Sequence, residues 1–181
     1  ETVYDHPFTI SATSFYQVNS TQAMRLAELV MGALDLRGSE KTLDAYCGVG
    51  LFTAFMSEEA ASVVGIEAHP TAVADARRNL AGRDNVTVLE GLVEDLLPDL
   101  EAPLDAAVVD PPRTGLEPEA LDALVAHGPR RIAYVSCDPA TLARDAQRLV
   151  RQGYALEWVQ PVDMFPQTFH IECVALFTRP K

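Results

Sequence analysis

Five short apolar runs, alternating with stretches of helical spacing, constrain this chain more than any other feature in it. Residues 41–46 (KTLDAY), 62–67 (SVVGIE), 85–90 (NVTVLE), 104–110 (LDAAVVD) and 130–136 read as strands. Residues 52–59, 70–81, 92–97 and 118–126 read as helices. Pro139 is placed to open another through Gln152, which Gly153 ends. Residues 154–160 and 170–179 read as two closing strands. Ahead of these, Asn19-Ser20 can cap a helix over 21–36, with Ala23, Leu26, Ala27, Val30 and Leu34 on one stripe and Gly38 as its stop. The internal runs are continuously apolar, as expected of strands covered on both faces. This alternation predicts an α/β fold with a doubly wound, mostly parallel seven-stranded sheet and an antiparallel closing strand. Such sheets bind ligands beyond the carboxyl ends of their strands.

A single domain is expected over 1–181, with a lead-in segment and helix over 1–40 and the core over 41–181. Folding a chain of 181 residues buries roughly 70% of its unfolded surface, enough to need no disulfide or metal staple. No apolar run approaches the roughly 20 residues of a membrane span. The start, ETVYDHPF, has no signal-peptide pattern and no initiator Met, so the chain is expected to be processed or cut from something longer. The three cysteines, Cys47, Cys137 and Cys173, are odd in number and never spaced as CxxC, which points to reduced thiols in a cytoplasm. His6, His69 and His127 have no metal-ligand spacing. The expectation is a cytoplasmic monomer without membrane or metal.

Unusual residues gather where the strands end. The first strand runs into Asp44-Ala-Tyr46-Cys-Gly48-Val-Gly50, a GxG turn that lets backbone approach a ligand. Glu67, 17 residues after Gly50, ends the second strand and can accept bonds from two ribose hydroxyls. Together these describe an adenosine-containing cofactor; the plain alternative is a tight turn and a surface Glu. A dinucleotide fingerprint wants a third glycine where Thr53 stands, which weakens a nicotinamide-cofactor reading. The acid before the turn looks more like the first motif of S-adenosylmethionine-dependent methyltransferases. Asp110-Pro-Pro-Arg113 ends the fourth strand, and its two prolines make a rigid turn without backbone donors.

Taken together, Ser14-Phe15-Tyr16-Gln17-Val-Asn19, Asp44 to Gly50, Asp110-Pro-Pro-Arg113-Thr-Gly115, Tyr134-Val-Ser-Cys137-Asp-Pro139-Ala-Thr141 and Asp163-Met-Phe165-Pro166-Gln-Thr168-Phe-His170-Ile-Glu172 resemble the catalytic domain of the RNA 5-methyluridine (uracil-C5) methyltransferase family, in family order over nearly the whole chain. The resemblance implies a Rossmann-like class I methyltransferase fold, with Cys137 as nucleophile and Glu172 as general base. It implies that Gln17, Tyr46, Glu67 and Asp110 contact S-adenosylmethionine at the Gly48–Gly50 turn. Where some members carry Asn, this chain has Leu51. It also implies an N-terminal oligonucleotide-binding domain, sometimes with an iron–sulfur cluster. That domain is expected to be absent from this chain, which is then expected to bind RNA poorly by itself.

Position adds to the resemblance. Cys137 follows an apolar strand and precedes a helix N-terminus, which would favour the thiolate. Glu172 is a charge in an otherwise apolar strand, and period-two alternation puts it on one face with His170. Cys173 and Cys47 read as packing. Phe15, Arg113 and His170 are candidates for touching RNA, with core aromatic, carboxylate partner and structural histidine as their plain alternatives. Two other functions compete: amino-group methylation of a base through Asp110-Pro-Pro, and a non-catalytic module holding cofactor or RNA. A nicotinamide-dependent dehydrogenase is more distant.

The net charge is −12, from 26 acids against 14 bases, which disfavours a broad RNA-binding face. The 84–122 stretch holds 11 acids and one Arg, whereas 130–151 holds five Arg against two Asp and surrounds Cys137 in sequence. The expectation is a small basic face at the active edge, on a domain that supplies chemistry while most of the grip on rRNA or tRNA lies elsewhere.

Overall fold

The computed structural model describes residues 1–17, 19–101, 103–168 and 170–180. Val18 and Phe169, which fall inside two of the motifs above, lie outside the described residues. A two-stranded antiparallel ribbon, β1 (Thr2–Val3) and β2 (His6–Pro7), comes first, followed by α1 (Ser20–Leu34). Then come β3 (Lys41–Ala45), α2 (Leu51–Glu59), β4 (Ser62–Glu67), α3 (Pro70–Asn79) and β5 (Val86–Glu90). After these follow α4 (Val93–Leu96) with a 3-10 turn over Leu97–Asp99, β6 (Ala106–Val109), α5 (Pro118–His127) and β7 (Arg131–Ser136). The chain closes with α6 (Pro139–Arg151), β8 (Ala155–Val162) and β9 (Glu172–Thr178).

Seven strands form one sheet in the order β5-β4-β3-β6-β7-β9-β8. Its first five are parallel, and β9 is antiparallel to both neighbours, so the closing strand is inserted between β7 and β8. The chain winds outward from β3 in one direction and from β6 in the other. The crevice between their carboxyl ends is therefore the switch point where such sheets take ligands.

Two apolar clusters cover the two faces. One packs α1, α2 and the end of α3 against residues such as Val108, Val135 and Val174; the other packs α4, α5 and α6 against Leu43, Ala107 and Ile132. Burial on both sides accounts for the unbroken apolar runs. In α1 the expected stripe is buried, with Leu26, Val30 and Leu34 at 1% exposure or less; truncating such a leucine to alanine costs about 2–5 kcal/mol. The Asn19 side chain accepts the Gln22 amide at 3.2 Å, as the cap reading expected. The helix ends two residues early, because Asp35 takes a left-handed conformation (φ 49°) that an Asp tolerates, and Gly38 is not needed as the stop. The terminal ribbon escaped sequence reading because two-residue strands have no period.

Candidate active site

On the cofactor side, β3 delivers Asp44 into a turn with positive φ at Tyr46 (66°), Gly48 (54°) and Gly50 (90°). A tyrosine in that region is strained, and it persists only where its surroundings enforce it. A Cβ at Gly48 would meet nothing within 4 Å, so this glycine borders open space; one at Gly50 would lie 2.9 Å from Leu80 Cδ1. Glu67, the last residue of β4, accepts the Gly48 amide at 2.9 Å and the His69 amide at 2.7 Å. Each of its oxygens keeps accepting capacity for a hydroxyl.

Thr53, standing where a dinucleotide fingerprint has glycine, instead donates its hydroxyl to Asp44 at 2.5 Å. Asp44 is fully buried and its other oxygen has no partner. Burial raises its carboxyl to about 7, against the pull of the Thr53 hydrogen bonds. The Gln17 Oε1 and Tyr46 hydroxyl are likewise buried without a protein partner. The Leu51 side chain packs into the core, so this residue can offer a ligand its backbone alone.

On the chemical side, the Asp110 amide donates to the Ala45 carbonyl at 3.2 Å, which joins the loop after β6 to the turn after β3. Burial drives the Asp110 carboxyl well above its usual range, helped by the charges of Glu172, Asp44 and Glu67. Beyond Pro111-Pro112, Gly115 turns with φ 78° and the Leu116 amide reaches Asp145 Oδ2 at 2.8 Å. The Tyr134 hydroxyl donates to the same oxygen at 2.8 Å, and Arg144 Nε to Asp145 Oδ1 at 2.9 Å. This fully buried carboxylate ties the Asp110–Arg113 loop to β7 and α6.

Ser136, the last residue of β7, pairs with Cys173 in the β7–β9 register, so Cys137 leaves β7 beside the start of β9, where the Glu172 charge acts on its thiol. Glu172 is 3% exposed, and burial raises its carboxyl to about 7 while Arg113 opposes the rise. Cys137 is half-buried; burial and the Glu172 charge push its thiol up, and a hydrogen bond with Arg113 pulls it back in part. The Asp138 carboxylate already takes the Ala140 and Thr141 amides of α6, at 2.8 and 3.1 Å. Arg113 Nη2 also lies 3.3 Å from His170 Nδ1, and His170 meets the Phe165 ring edge-on at 6.1 Å. Phe15 is 69% exposed.

The basic face expected around Cys137 does not form. Arg131 begins β7, whose six residues put it about 20 Å from Cys137, and its Nε donates to the Ala33 carbonyl. Arg148 and Arg151 sit in the last turn of α6, about 14 and 18 Å along the helix from its start. Arg144 stays near that start but is engaged by Asp145 and the Thr114 carbonyl, leaving Arg113 as the guanidinium that acts on Cys137. Cys47 and Cys173 are buried and free, as packing residues should be. Among the described residues no cluster of His, Cys, Asp and Glu could hold a metal. Sequence reading missed the bond from Thr53 to Asp44 and the role of Asp145; an acid on the apolar stripe of a helix, as Asp145 is beside Leu142, Ala146 and Leu149, was the available signal.

Known proteins resemble this chain. A protein named uncharacterized RNA methyltransferase from Gloeobacter violaceus is 49% identical over 95% of this chain and 38% of its own length. Another of that name from Enterococcus faecalis is 47% identical over 99% of this chain and 40% of its own. The crystal structure of the Pyrococcus abyssi tRNA (uracil-54, C5)-methyltransferase in complex with S-adenosyl-L-homocysteine superposes with a TM-score of 0.80 at 34% identity, covering 98% of this chain and 43% of that one. The tRNA (uracil-5-)-methyltransferase family model matches residues 100–180, and a general methyltransferase-domain model matches 42–130. The chain is a relative of these RNA methyltransferases. It spans about 40% of the length of the curated relatives it matches. Likeness to a precorrin-6y C5,15-methyltransferase from Geobacter metallireducens, at 17% identity and TM-score 0.77, concerns the fold alone. Among the described residues no helix is long and apolar enough to cross a membrane.

Proposed function

We propose that this domain transfers a methyl group from S-adenosylmethionine to carbon 5 of a uridine in structured RNA, ribosomal or transfer, through a covalent cysteine adduct. The reading is supported by one observation: the chain leaves β7 at Cys137 where β9 begins at Glu172, close enough for the charges of Glu172 and Asp110 to act on the thiol. The cofactor suits the residues present. Glu67 offers a carboxylate to a ribose, Gly48 borders open space, and Gln17 and Tyr46 hold buried polar atoms with no protein partner. Asp110 lines the same crevice, and Gly50 and the Leu51 backbone complete the turn.

Carbon 5 of uracil is a poor nucleophile. The Cys137 thiolate adds to carbon 6, and the displaced electron pair moves onto the carbon-4 carbonyl as an enolate, which makes carbon 5 nucleophilic. Arg113 favours the thiolate against burial and the Glu172 charge. S-adenosylmethionine, when bound, supplies the electrophilic methyl group for that carbon. Glu172 then removes the carbon-5 proton. The electrons of that C–H bond restore the 5,6 double bond and expel the Cys137 thiolate. A carboxyl raised to about 7 is well matched to proton abstraction near neutral pH. Exposed Phe15 and Arg113, with half-buried His170, are the contacts to RNA, and most of the RNA affinity resides in parts of the full-length protein outside this chain.

The test is mass spectrometry of RNA from cells with and without the gene. Loss of one 5-methyluridine at a defined position is expected, and an unchanged complement of methyluridines would contradict the proposal.

A further inference from the structure

Residues 9–17, which lead to the buried Gln17, have no helix or strand to hold them. What holds them is one face of α3. Asp75 Oδ2 accepts the Ser11 amide and the Ser14 hydroxyl, both at 2.7 Å, while Oδ1 accepts the Ser11 hydroxyl at 2.9 Å and Arg78 Nη1 at 3.1 Å. One turn later, Asn79 Oδ1 accepts the Thr9 amide at 2.8 Å, and its Nδ2 donates to the Thr9 carbonyl at 3.1 Å. The same Nδ2 donates to the Val49 carbonyl at 3.0 Å. Val49 is the central residue of the Gly48–Gly50 turn, so Asn79 joins the lead-in chain to the cofactor turn directly. A spacing of four residues puts both side chains on one helix face.

Asp75 has no exposed surface, and burying a carboxylate is costly unless its oxygens are satisfied. Burial pushes its carboxyl up, but the Ser11 and Ser14 donors and Arg78 outweigh burial and hold it below the usual range. A helix surface needs neither this charge nor a three-bond asparagine for its own stability. Both are arranged to capture another segment of chain.

We propose that Asp75 and Asn79 are positioning residues for the cofactor: they clasp residues 9–17 against the 46–50 turn and so fix Gln17 at the cleft. This rests on the S-adenosylmethionine reading above. The clasp sets the distance between two walls of one site. Loosening it weakens cofactor retention and leaves chemistry at saturating cofactor unchanged.

The test uses the full-length protein, with Asn79→Ala as the main variant and Ser14→Ala as a milder one that keeps the buried charge mostly satisfied. Expected for Asn79→Ala is a rise of about tenfold in the KM for S-adenosylmethionine, the effect of losing roughly one hydrogen bond's net worth, with kcat within twofold. Hydrogen exchange gives a second readout. Adding S-adenosylhomocysteine should slow exchange over both 9–17 and 46–50 in the unmodified protein, but over 46–50 alone in Asn79→Ala. Unchanged KM and unchanged exchange in folded Asn79→Ala and Ser14→Ala proteins would overturn the clasp, as would a loss confined to kcat. If the unmodified protein fails to bind S-adenosylhomocysteine, the cofactor reading falls and the clasp with it. Binding by the unmodified protein with unaffected variants sinks the clasp alone.

Discussion

The Glu67 carboxylate accepts the Gly48 amide at 2.9 Å, so the end of β4 and the turn after β3 fix each other. The acid that would hold a ribose is therefore aimed by the backbone that would approach the rest of the cofactor. Removing it takes away a ligand contact and releases the turn together. Hydrogen bonds to charged groups contribute about 1.5–3 kcal/mol, so Glu67→Ala should weaken S-adenosylhomocysteine binding about 10–100-fold, and Glu67→Gln less. Calorimetric titration of the full-length variants reads this directly.

In the proposed mechanism Cys137 and Glu172 act at different steps, so their substitutions should separate. Cys137→Ala should abolish methylation and adduct formation while leaving cofactor affinity unchanged. Glu172→Gln should still form the adduct and accept the methyl group, then stall before elimination. Turnover should fall about 10²–10⁴-fold as a protein–RNA complex accumulates on denaturing gels. A Glu172→Gln enzyme with near-normal turnover and no complex would remove Glu172 from the role of base.

Much of this was legible in the sequence because the sheet is buried on both faces. Continuous apolar runs located β3, β4, β6 and β7, and the special residues fell at their ends. The nearness of Cys137 to Glu172 was not legible, since it depends on β9 inserting between β7 and β8 in one register. Nor was the fate of the arginines at 130–151. Proximity in sequence is undone when a strand and a helix each carry the chain about 20 Å away. The clasp formed by Asp75 and Asn79 was hidden because its partners lie some 60–70 residues earlier in the chain.

Buried acids make the unliganded fold pH-sensitive. Burial raises the carboxyls of Asp44 and Glu172 from their ordinary range to about 7, so the folded protein keeps protons that the unfolded chain has released. Their contribution is present in full below about pH 4 and lost as pH rises through about 7, at roughly 1–3 kcal/mol per group. Asp75 and Glu40, held below their usual range, act in the other direction and only at lower pH. Urea unfolding should give greater stability at pH 5 than at pH 8, and Asp44→Asn or Glu172→Gln should flatten the difference.

Gly115 admits no side chain. Its φ is 78°, and a Cβ there would lie 2.5 Å from both Asp145 Oδ2 and Arg144 Nη2. Gly115→Ala must therefore disturb the carboxylate that holds Tyr134 and Leu116. A loss of about 2 kcal/mol or more in denaturant unfolding is expected, from left-handed backbone strain plus a damaged buried network. Activity should fall with it, since the same network supports the loop carrying Asp110 and Arg113.

Trapping with 5-fluorouridine-containing RNA tests the central claim most directly, because fluorine cannot leave as a cation when Glu172 acts. Full-length protein, S-adenosylmethionine and such an RNA should give a stable complex of one protein and one RNA, with Cys137 joined to carbon 6 and the methyl group on carbon 5. Methylation of the unmodified RNA with no trapped complex, or a complex that survives Cys137→Ala, would contradict the account.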